Sequence, residues 1–167
     1  MPPRFAEISE MSLWSQSIGG FIINFGVAEF LTLRCIEILS GEQEAIRARE
    51  KPLSKRINSA KKAIEDSDMT PEHKERALHL WTELASLSKL RNRIAHNPLA
   101  VGRHATTGDF TVSVVDLKRM TPNGMNQLEP LVYREIAATA IRVRDIAQEL
   151  SSLIEPASKA PLPEREI

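Results

Sequence analysis

The amino-acid sequence predicts an all-α protein, an antiparallel helical bundle that carries one small β-hairpin around residues 99–115. Two observations favour this fold class. Apolar residues recur at helical spacing in several long segments, and one short segment instead alternates β-branched and polar residues, as strands do. The 167 residues suit a single domain with a buried core. We expect this domain to cover residues 1–155 and the proline-containing tail, residues 156–167, to be disordered.

The first helical segment runs from about Ser12 to Ser40. Three glycines inside it lower its helix propensity, so that one kinked helix and two shorter helices both fit the pattern, while Gly41 is placed to end it. Cys35, the single cysteine, lies on the apolar stripe and is expected to fill the core. The stripe consists of Trp14, Ile18, Phe21, Phe25, Ala28, Cys35 and Leu39.

Two further helices follow. Leu53 to Ile64 has apolar residues at helical spacing on one side and lysines on the other. The third helix has the clearest start, because Thr70 can cap it and Pro71 suits its first position. Asn97-Pro98 stops this helix after roughly 26 residues.

The pattern changes after the third helix. The alternating residues 110–115 can pair with Leu99-Ala100-Val101 across a turn that contains Gly108, which predicts the hairpin. Pro122-Asn123-Gly124 is typical of a turn. We expect Pro130 to open a last amphipathic helix, which ends before Pro156.

Composition excludes several classes. Hydrophobic residues make up 42% and charged residues 26%, which argues against a disordered or fibrous chain. The most apolar segment, Phe21 to Leu39, contains charged residues that oppose a membrane span, and the opening residues lack the apolar core of a secretory signal, so we expect a cytoplasmic protein without a membrane partner. No glycine-rich phosphate loop, paired-cysteine motif or zinc-hydrolase signature occurs, so we expect neither a metal nor a cofactor.

The net charge is zero, which excludes a general nucleic-acid coat, yet the charge is unevenly distributed. Residues 51–62 hold five Lys or Arg, residues 84–108 hold four, and neither segment has an acidic residue. The first run is typical of a solvated helix face. The second should attract phosphate, because its four positive charges surround a histidine-centred cluster without a compensating acidic residue.

That cluster is Arg91-Asn92-Arg93-Ile94-Ala95-His96-Asn97-Pro98, at the end of the third predicted helix. Asn92 and His96 are four residues apart and therefore share a helical face, while the long side chain of Arg91 can reach the same region. The negative end of the helix dipole favours the imidazolium form of His96. A histidine that exchanges a proton near neutral pH and an arginine that holds phosphate oxygens are what metal-free phosphodiester cleavage requires.

Arg91-Asn92-x-x-x-His96 resembles the R-x4-H motif of HEPN domains, in its common R-N-x-x-x-H form, and lies late in a long helix as it does in that family. The resemblance covers about residues 12–155, and its specific part is these six positions. It implies an all-helical domain that forms a homodimer, with the two motif-bearing helices facing each other across one cleft. Many HEPN relatives are metal-independent endoribonucleases that act as toxins or in defence against phage. The implied partners are an RNA substrate, a second copy of the chain and an antitoxin or other partner protein.

By this resemblance His96 would be the general acid or base, Arg91 would stabilise charge in the transition state, and Asn92 would orient the substrate or the histidine. Two histidines of a dimer would then leave a 2′,3′-cyclic phosphate on the cleaved RNA. Pro98 departs from those HEPN toxins that have a tyrosine two positions after the histidine. The alternative is a catalytically silent HEPN module that binds RNA, a nucleotide or a partner protein. A helix end whose basic residues simply complement the dipole also fits.

Other residues extend this hypothesis beyond the motif. Glu29, on the apolar first helix, needs a partner, because an unpaired buried carboxylate is costly. Support of Arg91 or Arg93, pairing with Arg34, and simple exposure all fit the pattern. The residues expected to contact substrate are Arg93, Arg103 and His104.

Overall fold

The predicted fold class is confirmed by a computed structural model, which is mostly helical with a small antiparallel sheet of three strands. The structure describes residues 5–103, 106, 108, 110–120 and 126–155, and within these it describes the side chains of 10–115 and 130–155. The elements are α1 (Phe5–Ser40), α2 (Glu42–Arg49), α3 (Leu53–Glu65), α4 (Pro71–His96), β1 (Leu99–Arg103), β2 (Phe110–Met120), β3 (Asn126–Leu131) and α5 (Tyr133–Ile154).

Two compact units make up the chain, and each is built from two segments of sequence. The first unit comprises Met1–Phe25 and Leu87–Val143, and the second comprises Gly26–Ser86 and Arg144–Ile167. The sheet and the end of α4 therefore belong to the first unit. The predicted tail, residues 156–167, lies outside the described residues.

The first segment forms one helix of 36 residues, not two. Each internal glycine costs about 1 kcal/mol relative to alanine. Burial offsets this cost, because Phe21 and Phe25 are fully buried and each contributes about 1.5 to 3 kcal/mol. The helix ends where predicted, since Gly41 has a φ of +91° that an L side chain rarely adopts, and the short helix α2 follows it.

Both predicted ends of α4 are confirmed. Thr70 caps the helix, with its Oγ1 accepting a hydrogen bond from the backbone N–H of His73 at 3.3 Å, and Pro71 is the first helical residue. The helix then runs for 26 residues and ends at His96, one residue before Asn97-Pro98. The sequence therefore places the motif in the last two turns of a helix whose limits it specifies.

The sheet is larger than the predicted hairpin. β1 and β2 pair as expected, with Leu99 opposite Val114 and Arg103 opposite Phe110, but β2 continues to Met120 and a third strand pairs with it. Pro130 lies in β3 opposite Ser113 and does not open α5, so that prediction was wrong. An edge strand tolerates proline because its outer N–H groups need no partner within the sheet. The predicted turn at residues 122–124 lies outside the described residues.

In the first unit, α1 and α5 run in the same direction. The rings of Trp14 and Tyr133 pack edge to face with centroids 5.5 Å apart, and further along both helices Asn24 Nδ2 donates to the carbonyl of Ala140 at 2.9 Å. The predicted antiparallel packing does not hold for this pair, because the long connection between them imposes no direction. The buried side chains of this unit include Trp14, Phe21, Phe25, Ile94, Val112, Val114, Ile136 and Val143.

In the second unit, α3 and α4 are antiparallel, as expected for neighbours joined by a short loop. Lys61 Nζ donates to Thr82 Oγ1 at 2.7 Å, and Lys74 Nζ donates to the carbonyl of Glu65 at 2.9 Å. The core of this unit contains Cys35, Ile57, Ile64, Leu80, Trp81, Leu84, Ile146, Leu150 and Ile154. None of the helices in the described ranges combines the length and the apolar character needed to cross a bilayer.

The Cys35 thiol should be inert while the second unit is folded. Its side chain is fully buried, and burial raises the pKa of the thiol to about 12. We expect Cys35 to resist Ellman's reagent at pH 8 in the native protein, because thiolate and solvent access are both lacking, and to react as one thiol per chain in guanidinium chloride. Rapid reaction without denaturant would contradict this packing.

Candidate functional site at the end of α4

The last two turns of α4 are held in place by one buried side chain and expose the others. Ile94 is 6% exposed and packs into the first unit, whereas Arg93 and His96 on either side of it are exposed. Asn92 is also exposed, and Arg91 is half-buried. The motif is therefore displayed on a fixed helix end.

Four polar side chains share one side of this helix end. Asn92 and His96 are one turn apart on an uninterrupted helix, so their Cβ atoms lie about 6 Å apart. Arg93 and Lys89 fall on the same side, because they precede His96 by three and by seven residues. We call Lys89, Asn92, Arg93 and His96 the cationic face of α4; all four are exposed.

Lys89 was missed as a candidate by the sequence analysis. Its signal was present, because seven residues are close to two helical turns. The predicted motif instead drew attention to Arg91, which precedes His96 by five residues. Spacing alone thus places Lys89 on the same side of α4 as His96, which it does not do for the arginine of the motif.

Arg91 lies beside the cationic face and not on it. Five residues of α-helix turn the backbone by about 140° between Arg91 and His96. Arg91 reaches toward the face through Asn92, since its Nη1 donates to Asn92 Oδ1 at 3.1 Å. The structure therefore brings together Arg91 with Asn92 and Asn92 with His96, and the Arg91 contact orients the amide of Asn92.

The chain is fixed immediately after His96. Asn97 Nδ2 donates to the carbonyl of Arg93 at 2.9 Å, which satisfies one of the acceptors that a helix end leaves without a helical partner. The backbone N–H of Val115 then donates to the carbonyl of Pro98 at 2.9 Å, which joins the exit from α4 to the sheet. The side chain of Asn97 thus supports the turn that carries His96.

Two of the three predicted substrate contacts, Arg103 and His104, are not found on the cationic face. Arg103 is at the far end of β1, where its Nη1 donates to the carbonyl of Gly108 at 2.6 Å and its Nη2 lies 3.9 Å from Glu10 Oε2. His104 lies outside the described residues. Of the three predicted contacts, Arg93 is the one that the structure places on the cationic face.

Glu29 forms an ion pair that the sequence did not suggest. Its Oε2 lies 3.2 Å from Arg56 Nη2, and both side chains are largely buried, at 18% and 16% exposure. Arg34, which was one predicted partner, instead pairs with Glu37 at 2.9 Å. The contact with Arg56 joins α1 to α3 within the second unit, and sequence spacing cannot identify partners that are 27 positions apart.

The second unit has a groove of its own, of about 590 Å³, lined by residues of α4 and α5. His73 and His79 line it together with Glu72, Glu75, Arg76 and Leu153. Arg76 Nη2 donates to Glu149 Oε2 at 2.8 Å, so one cation of this groove is neutralised. In the part of the chain that the structure describes, no three His, Cys, Asp or Glu side chains are grouped as metal ligands would be.

Comparisons with protein-family models, curated proteins and solved structures find no match to this chain. The likeness to HEPN domains therefore rests on the six positions from Arg91 to His96 and on their place in α4.

Replacement of Asn97 by alanine should loosen the helix end. The variant leaves the carbonyl of Arg93 without its side-chain donor, so we expect the free energy of unfolding to fall by about 0.5 to 1 kcal/mol in urea titrations. Asn58→Ala, at an exposed position of α3, is the matched control and should change stability less. Equal losses in both variants would show that Asn97 does not support α4.

Proposed function

We propose that this protein is a HEPN-type endoribonuclease of a toxin or phage-defence system, which cleaves RNA without a metal at a cleft shared by two copies. One observation carries the proposal. His96 is exposed at the end of α4 on a face with two cations, Lys89 and Arg93, and an amide, Asn92, in a stretch of sequence without acidic residues. This combination suits a polyanion and offers it a group that transfers protons.

Lys89 and Arg93 supply the binding part of the proposal. Each would neutralise a backbone phosphate of a single-stranded RNA, and neither contact depends on the base. Arg93 lies three residues and Lys89 seven residues before His96, so phosphates held on these cations lie within one or two helical turns of the imidazole. The face therefore positions a phosphodiester next to His96.

The reaction needs two proton transfers. A base removes the proton of the ribose 2′-hydroxyl, the 2′-oxygen forms a bond to phosphorus, and the bond from phosphorus to the 5′-oxygen breaks. An acid protonates the departing 5′-oxygen, so the products are a 2′,3′-cyclic phosphate and a free 5′-hydroxyl. In this proposal His96 is the base in one copy and the acid in the other, and Arg91 stabilises the charge that develops on the phosphate oxygens.

The proposal includes a homodimer because the two proton transfers need two imidazoles and each chain supplies one His96. Each chain contributes one histidine to the cationic face, and a two-fold axis beside α4 places the second opposite the first. Arg91 is held against Asn92, one helical turn from His96, so its guanidinium would approach such a cleft from beside the cationic face. An antitoxin or other partner protein would act by covering the same face.

The test of this proposal is RNA cleavage in chelator. Incubation of transfer RNA with the wild-type protein and EDTA should give fragments with 2′,3′-cyclic phosphate ends. His96→Ala should lower the cleavage rate at least ~100-fold, because a proton-transferring group typically contributes 10²- to 10⁴-fold. The variant should keep its fold, since His96 is exposed. His79→Ala, at an exposed position of the second unit, is the control and should cleave at the wild-type rate.

A mixing experiment tests the shared cleft. Equal amounts of wild type and His96→Ala, unfolded and refolded together, should have about a quarter of the activity of wild type at the same total protein concentration, because a quarter of random dimers contain two intact chains. Half of the activity would show that each copy cleaves alone and would overturn the dimeric site. Binding of diverse RNAs by wild type without cleavage would overturn the nuclease and favour the silent RNA-binding module.

A further inference from the structure

The first unit contains a small pocket between the start of α1, the sheet and the start of α5. Its volume is about 220 Å³, and it is lined by Glu10, Leu13, Trp14, Phe110 and Tyr133. Sites for drug-sized ligands occupy about 300 to 1,000 Å³, so this one suits a single ring system. Among the lining residues that the structure describes, three of five are aromatic, which favours a planar group.

Of the aromatic rings that line the pocket, Trp14 is buried, and Phe110 and Tyr133 are partly exposed to solvent. Trp14 is 8% exposed and packs edge to face against Tyr133, at 72° between the ring planes, which fixes the back wall. Phe110 and Tyr133 are half-buried, and Phe110 comes from the sheet, opposite Arg103 in the register of β1 and β2. A flat ligand that enters the pocket would contact rings that are already in place.

Glu10 is the charged residue that lines the pocket, and an arginine lies close to it. Glu10 Oε2 is buried and accepts no hydrogen bond within the part of the chain that the structure describes. Arg103 Nη2 lies 3.9 Å from this oxygen, which is close enough for ionic attraction and too far for a hydrogen bond. The carboxylate therefore keeps acceptor capacity for a ligand, while the guanidinium beside it offsets its charge.

This charge balance discriminates among ligand classes. A cation such as a methylated lysine would suit the aromatic rings and the carboxylate, but Arg103 beside Glu10 opposes a second positive charge. A neutral base with donors on one edge and acceptors on another meets both groups. Guanine has two adjacent donors, N1–H and the exocyclic amine, for a carboxylate, and two acceptors, O6 and N7, for an arginine.

We propose that this pocket binds a guanine base of the RNA that the cationic face of α4 engages. The proposal rests on the proposed function for the identity of the polymer. Glu10 accepts from the Watson–Crick edge of the base, Arg103 donates to its O6 or N7, and the aromatic rings contact its faces. Arg103, whose side chain lies near Glu10 of the pocket, follows His96 by seven residues, so the backbones of these two residues are at most about 25 Å apart. A few nucleotides of extended RNA span that distance.

Binding of mononucleotides tests the pocket without any cleavage. Calorimetric titration of the wild-type chain with GMP, AMP, CMP and UMP should show GMP binding at least ~10-fold more tightly than the others, which corresponds to one good bidentate contact. Glu10→Gln should abolish this preference, because one acceptor oxygen becomes a donor that opposes N1–H. Glu42→Gln, exposed on α2 in the second unit, is the control and should bind as wild type.

A second variant separates the rings from the carboxylate. Phe110→Leu should weaken all four nucleotides by a similar factor and keep the preference for GMP, since it removes ring contact alone. Equal affinity of wild type for the four nucleotides would overturn the guanine site. So would binding of tetramethylammonium in place of GMP, which would assign the pocket to a cation.

The two proposals fail differently. A wild-type protein that cleaves RNA and does not bind GMP overturns the guanine pocket and leaves the nuclease in place. A wild-type protein that binds GMP through Glu10 and cleaves no RNA supports the pocket and overturns the nuclease.

Discussion

The termination of α4 at Asn97-Pro98 is the constraint on which the candidate site depends. Proline cannot continue the helix, so the last turn keeps acceptors without helical partners and leaves His96 at the helix end. The amide of Asn97 caps one of these acceptors, and the carbonyl of Pro98 accepts from the sheet. A flexible exit from the helix would leave the imidazole without a fixed position relative to phosphate.

The same break in the helix links the two proposed binding elements. β1 begins at Leu99 and carries the chain to Arg103, which pairs in register with Phe110. Arg103 then lies beside Glu10 from the start of α1, so the pocket is assembled from residues that are distant in sequence. The cationic face and the aromatic pocket belong to one compact unit. In the proposals above, the face holds the phosphate backbone of an RNA strand and the pocket holds one of its bases.

The sequence predicted what depends on local rules and failed where tertiary contacts decide. Thr70, Pro71 and Pro98 specify both ends of α4, because capping and proline geometry act within a few residues. The third strand was missed because Pro130 resembles a helix start, and only its pairing with Ser113 shows that it lies in an edge strand. The sequence also did not predict that α1 and α5 run in the same direction, or that Glu29 pairs with Arg56. Local sequence does not specify which distant elements contact each other.

Within the candidate site, helical spacing predicted the positions of some residues and not of others. Asn92 and His96 share a face as predicted, whereas Arg91 lies about 140° from His96 and contacts the face at Asn92. Glu10 was not a candidate at all, because an isolated glutamate near the start of a helix resembles any solvated residue. The tertiary structure places aromatic rings and Arg103 around Glu10, and this arrangement makes its Oε2 a candidate ligand acceptor.

The most direct measurement is the NMR spectrum of the histidine side chains during titration with a 2′-O-methyl RNA, which binds and cannot be cleaved. If RNA lies on the cationic face of α4, the imidazole resonances of His96 shift, while those of His73 and His79, which line the groove of the second unit, stay in place. Binding that shifts His73 or His79 and leaves His96 unchanged would contradict the assignment of the cationic face as the RNA site.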